Sequence, residues 1–163
     1  MDIRNAIKND LQQIQAIYAH HVLRGTGSFE TIPPSLEEIN ARFLANQAVG
    51  FTWIVAESRK RILGYGYFAP FRVRPAYDFT VEDSVYVRDD VRGQGVGKAL
   101  VSNLVALAKS AGFSQMVSFI GDAENTASIG VHASLGFQHS GTMRKVGYKF
   151  DRWLDVVIMQ KAL

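Results

Sequence analysis

The chain has 163 residues, 47% of them hydrophobic and 20% charged, which suits one folded domain spanning residues 1–163 and excludes an intrinsically disordered protein. It contains no cysteine, so disulfides, thiolate metal sites and a cysteine nucleophile are excluded. The net charge of +3 is spread along the chain, and its densest cluster, Arg59-Lys60-Arg61, reads as a solvated turn; nucleic acid is not an expected partner, whereas anionic small molecules are.

No run approaches the roughly 20 apolar residues of a membrane span, and the start Met1-Asp2-Ile3-Arg4 lacks the apolar segment of a secretion signal. No membrane partner and a cytoplasmic location are expected on that basis. Ile3–Ala6 reads as a short strand. Asp10 is placed to cap a helix whose apolar stripe is Leu11, Ile14, Ile17, Tyr18 and Val22. After the break at Gly25-Thr26-Gly27, Pro33-Pro34-Ser35 introduces a second helix, with Ser35 and Glu38 at capping-box spacing. Phe51–Glu57 and Arg61–Phe68 read as an antiparallel hairpin, followed by a loop over Ala69–Tyr77 and a strand over Phe79–Val87.

Val96, Leu100, Leu104 and Ala108 recur every four residues, predicting a strongly amphipathic helix that Gly112 ends. Met116–Ile120 reads as a short buried parallel strand, Thr126–Leu135 as a helix stopped by Gly136, and Phe137 onward and Trp153–Gln160 as strands. This order predicts an α+β protein: a mixed, mostly antiparallel sheet of about seven strands with flanking helices and one parallel crossover.

The turn Arg92-Gly93-Gln94-Gly95-Val96-Gly97 lies between a strand and the strongest helix. Unpaired backbone N–H groups and the helix dipole suit a phosphate or pyrophosphate there. The dinucleotide fingerprint G-x-G-x-x-G does not fit its glycine spacing, and a P-loop would need glycine at Arg92 and Ser or Thr at Ala99. Arg92-x-x-Gly95-x-Gly97 instead resembles the coenzyme A pyrophosphate loop of the GNAT N-acetyltransferase superfamily.

The segment from Asp122 through Asn125, Ser128 and His132 to Gly136-Phe137 resembles the second half of that superfamily's cofactor site. Histidine at position 132 is similar to one branch, the phosphinothricin and methionine sulfone/sulfoximine N-acetyltransferases. Four further segments share the resemblance: Thr26–Glu30, Phe71–Tyr77, Thr80–Val87 and Gly147–Asp155. The likeness runs from Ile3 to Leu163. It implies acetyl-CoA as acetyl donor, a small amine acceptor, a GNAT-like fold and a homodimer.

The resemblance also assigns expected roles. Gly93, Gln94, Gly95, Val96, Gly97 and Lys98, with Arg92, would hold the pyrophosphate. Val85, Tyr86 and Val87 would offer backbone to the pantetheine arm, where their strand parts from Met116–Ile120, and Asn125 and Ser128 would complete the cofactor site. Glu82 matches the family's general base; a solvent-facing strand glutamate is the plainer reading, opposed by its otherwise apolar run. His132 has two readings: an auxiliary acid or orienting group, and a satisfied histidine on a half-buried helix. Arg72, Arg74 and Tyr77 would bind a zwitterionic acceptor, since guanidinium forks hold carboxylates and phosphinates, and Phe29 would close the pocket. No histidine or carboxylate set has metal-ligand spacing, so no metal is expected.

The expected reaction is direct acetyl transfer onto the amino group of an amino-acid-like acceptor, without an acetyl-enzyme. A protein, peptide or polyamine acetyltransferase shares the cofactor loop and is the neighbouring alternative. A non-catalytic CoA-binding module is the alternative of a different class.

Overall fold

The computed structural model describes residues 1–163. In chain order the elements are β1 (Asp2–Asn5), α1 (Leu11–Arg24), α2 (Leu36–Ala48), β2 (Trp53–Ser58), β3 (Arg61–Pro70), β4 (Thr80–Val87), α3 (Val96–Ser110), β5 (Gln115–Gly121), α4 (Thr126–Ser134), β6 (Gln138–Lys149) and β7 (Arg152–Ala162). Single 3-10 turns at Lys8–Asp10, Pro75–Tyr77 and Asp89–Val91 join them. The strands form one seven-stranded sheet in the order β1-β2-β3-β4-β5-β7-β6. Every neighbouring pair is antiparallel except β4 and β5. The fold is the expected α+β arrangement.

Because strand side chains alternate, the sheet sorts its residues into two layers. Trp53, Val55, Ile62 and Tyr65 face Leu11, Ile14, Ile17, Tyr18 and Val22 of α1 and Ile39 and Phe43 of α2. Ile54, Ala56, Phe68, Val81, Met116 and Ile120 face Val96, Leu100, Leu104 and Ala108 of α3. These two cores fix which face each functional residue of β4 and β5 can reach.

Local signals held at most ends. Ser35 accepts from the Glu38 N–H at 3.1 Å, and Gly112 and Gly136 follow α3 and α4 with φ of 87° and 86°. Two expectations were displaced by stronger partners. Asp10 makes no side-chain cap, because its buried carboxylate takes the Arg4 guanidinium at 2.7 and 2.9 Å and the Ile7 N–H at 2.8 Å. Glu38 does not reach back to close the box; it pairs with Arg42 one turn on.

Candidate active site

The parallel strands β4 and β5 pair at only three positions, Thr80–Gln115, Val81–Met116 and Glu82–Val117. Beyond them β4 continues to Val87 paired only with β3, and β5 continues to Gly121 paired only with β7. The sheet therefore splits along the Asp83–Val87 edge. The Arg88 N–H bonds back to Leu63 O at 2.8 Å, so by antiparallel alternation Tyr86 also bonds toward β3. Val85 and Val87 direct their main-chain groups the other way, into the split. The Val87 carbonyl there accepts from the His21 ring at 2.8 Å, and burial keeps His21 below the ordinary histidine range, hence neutral. The Val87 N–H stays open. Tyr86, whose backbone is spent on β3, contributes its ring instead, packed against Tyr18, Tyr65 and His21.

At the outer end of the split lies the glycine turn. Gly93 and Gly95 hold φ of 75° and 81°, and no protein atom lies within 4 Å of where their Cβ would stand. Glycine is thus required there by backbone conformation, not by crowding. None of the N–H groups from Gly93 to Lys98 bonds to a protein acceptor; the first paired one is Ala99, on Gly95 O. Six donors around a helix start form an anion cradle, and Arg92, bonded to Asp89 at 3.0 Å and well exposed, stands beside it. On the far bank Asn125 caps α4 by accepting from the Ser128 N–H at 3.3 Å, leaving its amide N–H groups unused.

Glu82 occupies the last paired position before the split, on the α1/α2 face shared with Ser84 and Tyr86. Its half-buried carboxylate has no hydrogen bond or ion pair with the protein. Burial raises its proton affinity, the Asp83 charge raises it further, and the Arg72 charge partly offsets both. Val117, Phe119 and Gly121 lie on the same face of β5, and Phe71 bridges Phe119 (6.0 Å between centroids) and Tyr77 (5.4 Å). Arg72 lies over the Phe71 ring at 5.0 Å; neither Arg72 nor Arg74 pairs with a carboxylate.

The opposite wall is the loop after α1. A Cβ on Gly147 would stand 2.2 Å from the Phe29 ring, and one on Gly121 would stand 2.6 Å from Thr26 O and 2.9 Å from that ring. The Phe29 ring therefore lies against Gly121 of β5 and Gly147 of β6, on either side of β7, in space that side chains at those two positions would fill. Around it, Lys149 donates to Gly25 O (2.8 Å) and Ser28 O (2.7 Å). Asp122 accepts from Thr26 (2.8 Å), Arg152 (2.7 Å) and the Glu124 N–H (3.1 Å). Burial opposes the Asp122 charge, but these donors hold its carboxyl below the ordinary range. Tyr18 and Arg42 fix Glu30 at 2.9 and 2.7 Å.

His132 is placed otherwise than an acceptor-facing histidine would be. It lies behind β4, on the α3/α4 face, and is 4% exposed. Nδ1 donates to Ser128 O at 2.8 Å and Nε2 meets Asp83 Oδ2 at 3.0 Å, so neither ring nitrogen is open to a substrate. Burial alone would lower its proton affinity, but Asp83 and the Ser128 carbonyl outweigh it and raise the imidazole above its ordinary range. Glu82 and His132 thus sit on opposite faces of one strand.

A split between parallel strands, an anion cradle beyond it and a partnerless carboxylate at its vertex match the geometry expected from the resemblance. The sequence profile described as an acetyltransferase (GNAT) domain matches residues 3–158. The chain belongs to this GNAT acetyltransferase family. The phosphinothricin N-acetyltransferase of Alcaligenes faecalis is 45% identical over 99% of this chain and 82% of its own length. The L-methionine sulfoximine/L-methionine sulfone acetyltransferase of Pseudomonas paraeruginosa is 42% identical over 99% of this chain and 94% of its own. A crystal structure of a phosphinothricin acetyltransferase from Sinorhizobium meliloti in complex with AcCoA superposes with a TM-score of 0.96 at 42% identity, covering 99% of this chain and 88% of that one.

Several groups that shape this acetyltransferase's site carry no local motif: Asp83, Ser118, Phe71, Phe119, Gly121 and Lys149. The sequence signal that bears on Phe29 is the pair Gly121 and Gly147, each an isolated glycine in a strand, where close approach of another group is one standard cause. Gly121→Ala, whose Cβ would stand 2.6 Å from the Thr26 carbonyl oxygen, should displace the loop that carries Phe29 and lower stability by about 1–3 kcal/mol in chemical denaturation. An unchanged midpoint would show that the loop is not held there.

Proposed function

We propose that this enzyme transfers the acetyl group of acetyl-CoA to the amino group of a small amino-acid-like acceptor of the phosphinothricin, methionine sulfoximine or methionine sulfone type. The observation that carries this reading is Glu82: a half-buried carboxylate without a protein partner, at the vertex of the split, with the unpaired cations Arg72 and Arg74 on the neighbouring loop. A cationic amine and an anionic head group on one small molecule complement that distribution of charge. The named activities of the relatives support the same acceptor class.

Acetyl-CoA supplies an activated thioester whose sulfur is the leaving group. The chain's residues fit it: the N–H groups of Gly93–Lys98 for the pyrophosphate, the Val85 and Val87 edge for the pantetheine arm, and Asn125 across the split. Glu82 takes the proton that an acceptor ammonium must lose before its nitrogen can attack, directly or through a water. The Val87 N–H is an open main-chain donor along this edge that can polarise a thioester carbonyl. Arg72, Arg74 and Tyr77 orient the acceptor's acidic end, and Phe29 closes the pocket above Gly121. Cysteine is absent, which favours transfer without a covalent acetyl-enzyme.

Coenzyme A release should be measured across phosphinothricin, methionine sulfoximine, methionine sulfone, ordinary amino acids, polyamines and an N-terminal peptide. Turnover with the first three, reduced about 10²–10⁴-fold by Glu82→Gln, is the expected result. Because Glu82 must be ionised to act, activity should rise with pH through a pKa above the ordinary glutamate range. Arg72→Gln should move that limb upward, since it removes the neighbouring charge that favours the carboxylate. Turnover confined to peptides or polyamines would overturn the acceptor assignment.

The enzyme also presents a homodimer surface. Strand β6 ends the sheet, and its hairpin with β7 exposes Val146 (52%), Tyr148 (57%), Phe150 (52%) and Trp153 (60%). Clustered exposed aromatics of this kind mark an interface. Light scattering should give twice the 18.1 kDa chain mass, and Trp153→Glu should shift the population toward 18.1 kDa. A wild-type mass of one chain would overturn the dimer.

A further inference from the structure

Where main-chain pairing between β4 and β5 ends, a side-chain junction replaces it. Asp83 and Ser118 are the next residues on the two strands after the last pair, Glu82–Val117. The Ser118 hydroxyl donates to Asp83 Oδ1, and Asp83 Oδ2 accepts from His132 Nε2 at 3.0 Å. His132 is anchored in turn on Ser128 O at 2.8 Å, inside α4. All three side chains are buried: Asp83 at 7%, Ser118 at 2% and His132 at 4% exposure.

One carboxylate therefore ties β4, β5 and α4 together at the point where the split begins. Packing alone does not account for it. Hydrocarbon side chains would fill this position at lower desolvation cost than an ion pair. A two-oxygen acceptor between two donors gives directional, fixed spacing at the point where main-chain bonding between the strands runs out. The elements so joined are those that bear Glu82, Val85 and Val87 on one bank and Asn125 and Ser128 on the other.

We propose that Asp83, clasped by Ser118 and His132, is a positioning residue that sets the width and alignment of the β4–β5 opening. Through it the junction places the acetyl donor against Glu82. This rests on the acetyl-transfer reading above and gives His132 a scaffolding part, as the donor from α4. No proton moves to the acceptor from this cluster.

The test compares Ser118→Ala, Asp83→Val and Asp83→Asn with wild type, each first checked for cooperative thermal unfolding. Calorimetric titration with desulfo-CoA is read alongside kcat and both Michaelis constants. Ser118→Ala removes one arm of the clasp, and affinity for desulfo-CoA should weaken by about tenfold, with acceptor KM moving much less. Asp83→Val should in addition lower kcat by about 10²-fold, as expected when reacting groups are misplaced by about 1 Å. Asp83→Asn should rescue function to within about threefold of wild type. Its amide oxygen still accepts from Ser118, and its N–H₂ donates to Nε2 of a neutral His132 that keeps Nδ1–H on Ser128.

Wild-type affinity and kcat in folded Ser118→Ala and Asp83→Val would overturn the proposal. So would a folded Asp83→Asn as impaired as Asp83→Val, because the charge and not the geometry would then be needed. If Asp83→Val does not fold, Ser118→Ala and Asp83→Asn decide alone. If the wild-type enzyme turns over no acceptor, the acetyl-transfer reading fails separately. The desulfo-CoA titrations still decide the clasp: about tenfold weakening supports it and unchanged affinity sinks it.

Discussion

Two adjacent parallel strands that stop pairing after three residues impose a cost that the rest of this structure is arranged to meet. Each unpaired main-chain N–H and C=O along the opened edge must find water, a side chain or a ligand. The protein satisfies some of them itself: β3 takes the Tyr86 side of β4, and His21 takes the Val87 carbonyl. It leaves the inward N–H groups of Val85 and Val87 open, in line with the unpaired donors of Gly93–Lys98 beyond. The opening thus carries two sets of open main-chain donors, one on the β4 edge and one in the glycine turn, between two hydrophobic cores.

Alternation on β4 then gives two neighbouring carboxylates opposite chemistry. Glu82 points to the α1/α2 face, finds no partner and binds its proton more tightly than a free glutamate. Asp83 points to the α3/α4 face and is saturated by Ser118 and His132. A single strand separates a partnerless carboxylate from a saturated one, and the charge of the second raises the proton affinity of the first. Separating two acidic groups by environment is a general way to assign them different roles.

How much of this was legible in the sequence depended on range. The α3 helix and its glycine turn were readable because periodicity, helix start and positive-φ glycines are local properties of Val96–Ala108 and Gly93–Gly95. The succession of elements along the chain followed from patterning, and the single parallel pair from the short apolar run at Met116–Ile120. Asp10 was misread as a cap, and the reciprocal half of the box at Ser35–Glu38 does not form, because Arg4 and Arg42 compete for those carboxylates through contacts that local capping rules do not weigh. His132 was placed on the correct helix, but the partner that defines it, Asp83, lies 49 residues away, and nothing in Val81–Val87 separates a saturated aspartate from an exposed one. The Lys149 bonds to Gly25 and Ser28 span more than 120 residues and leave no trace in composition.

Those long-range bonds bear on how the pocket is assembled. Thr26 to Glu30 has no regular structure, yet Lys149, Asp122, Tyr18 and Arg42 hold this stretch through Gly25, Thr26, Ser28 and Glu30, so Phe29 is carried on a preorganised loop. Lys149 is held by carbonyls alone; burial lowers its proton affinity, and the charge of Glu30 partly restores it. Lys149 sits at the tip of the same β6–β7 hairpin whose outer surface exposes Tyr148, Phe150 and Trp153. Its inward side chain braces the Phe29 loop while its neighbours' rings face outward. One hairpin therefore links the Phe29 loop to the apolar surface, and any contact that orders the hairpin from outside also steadies Phe29 within.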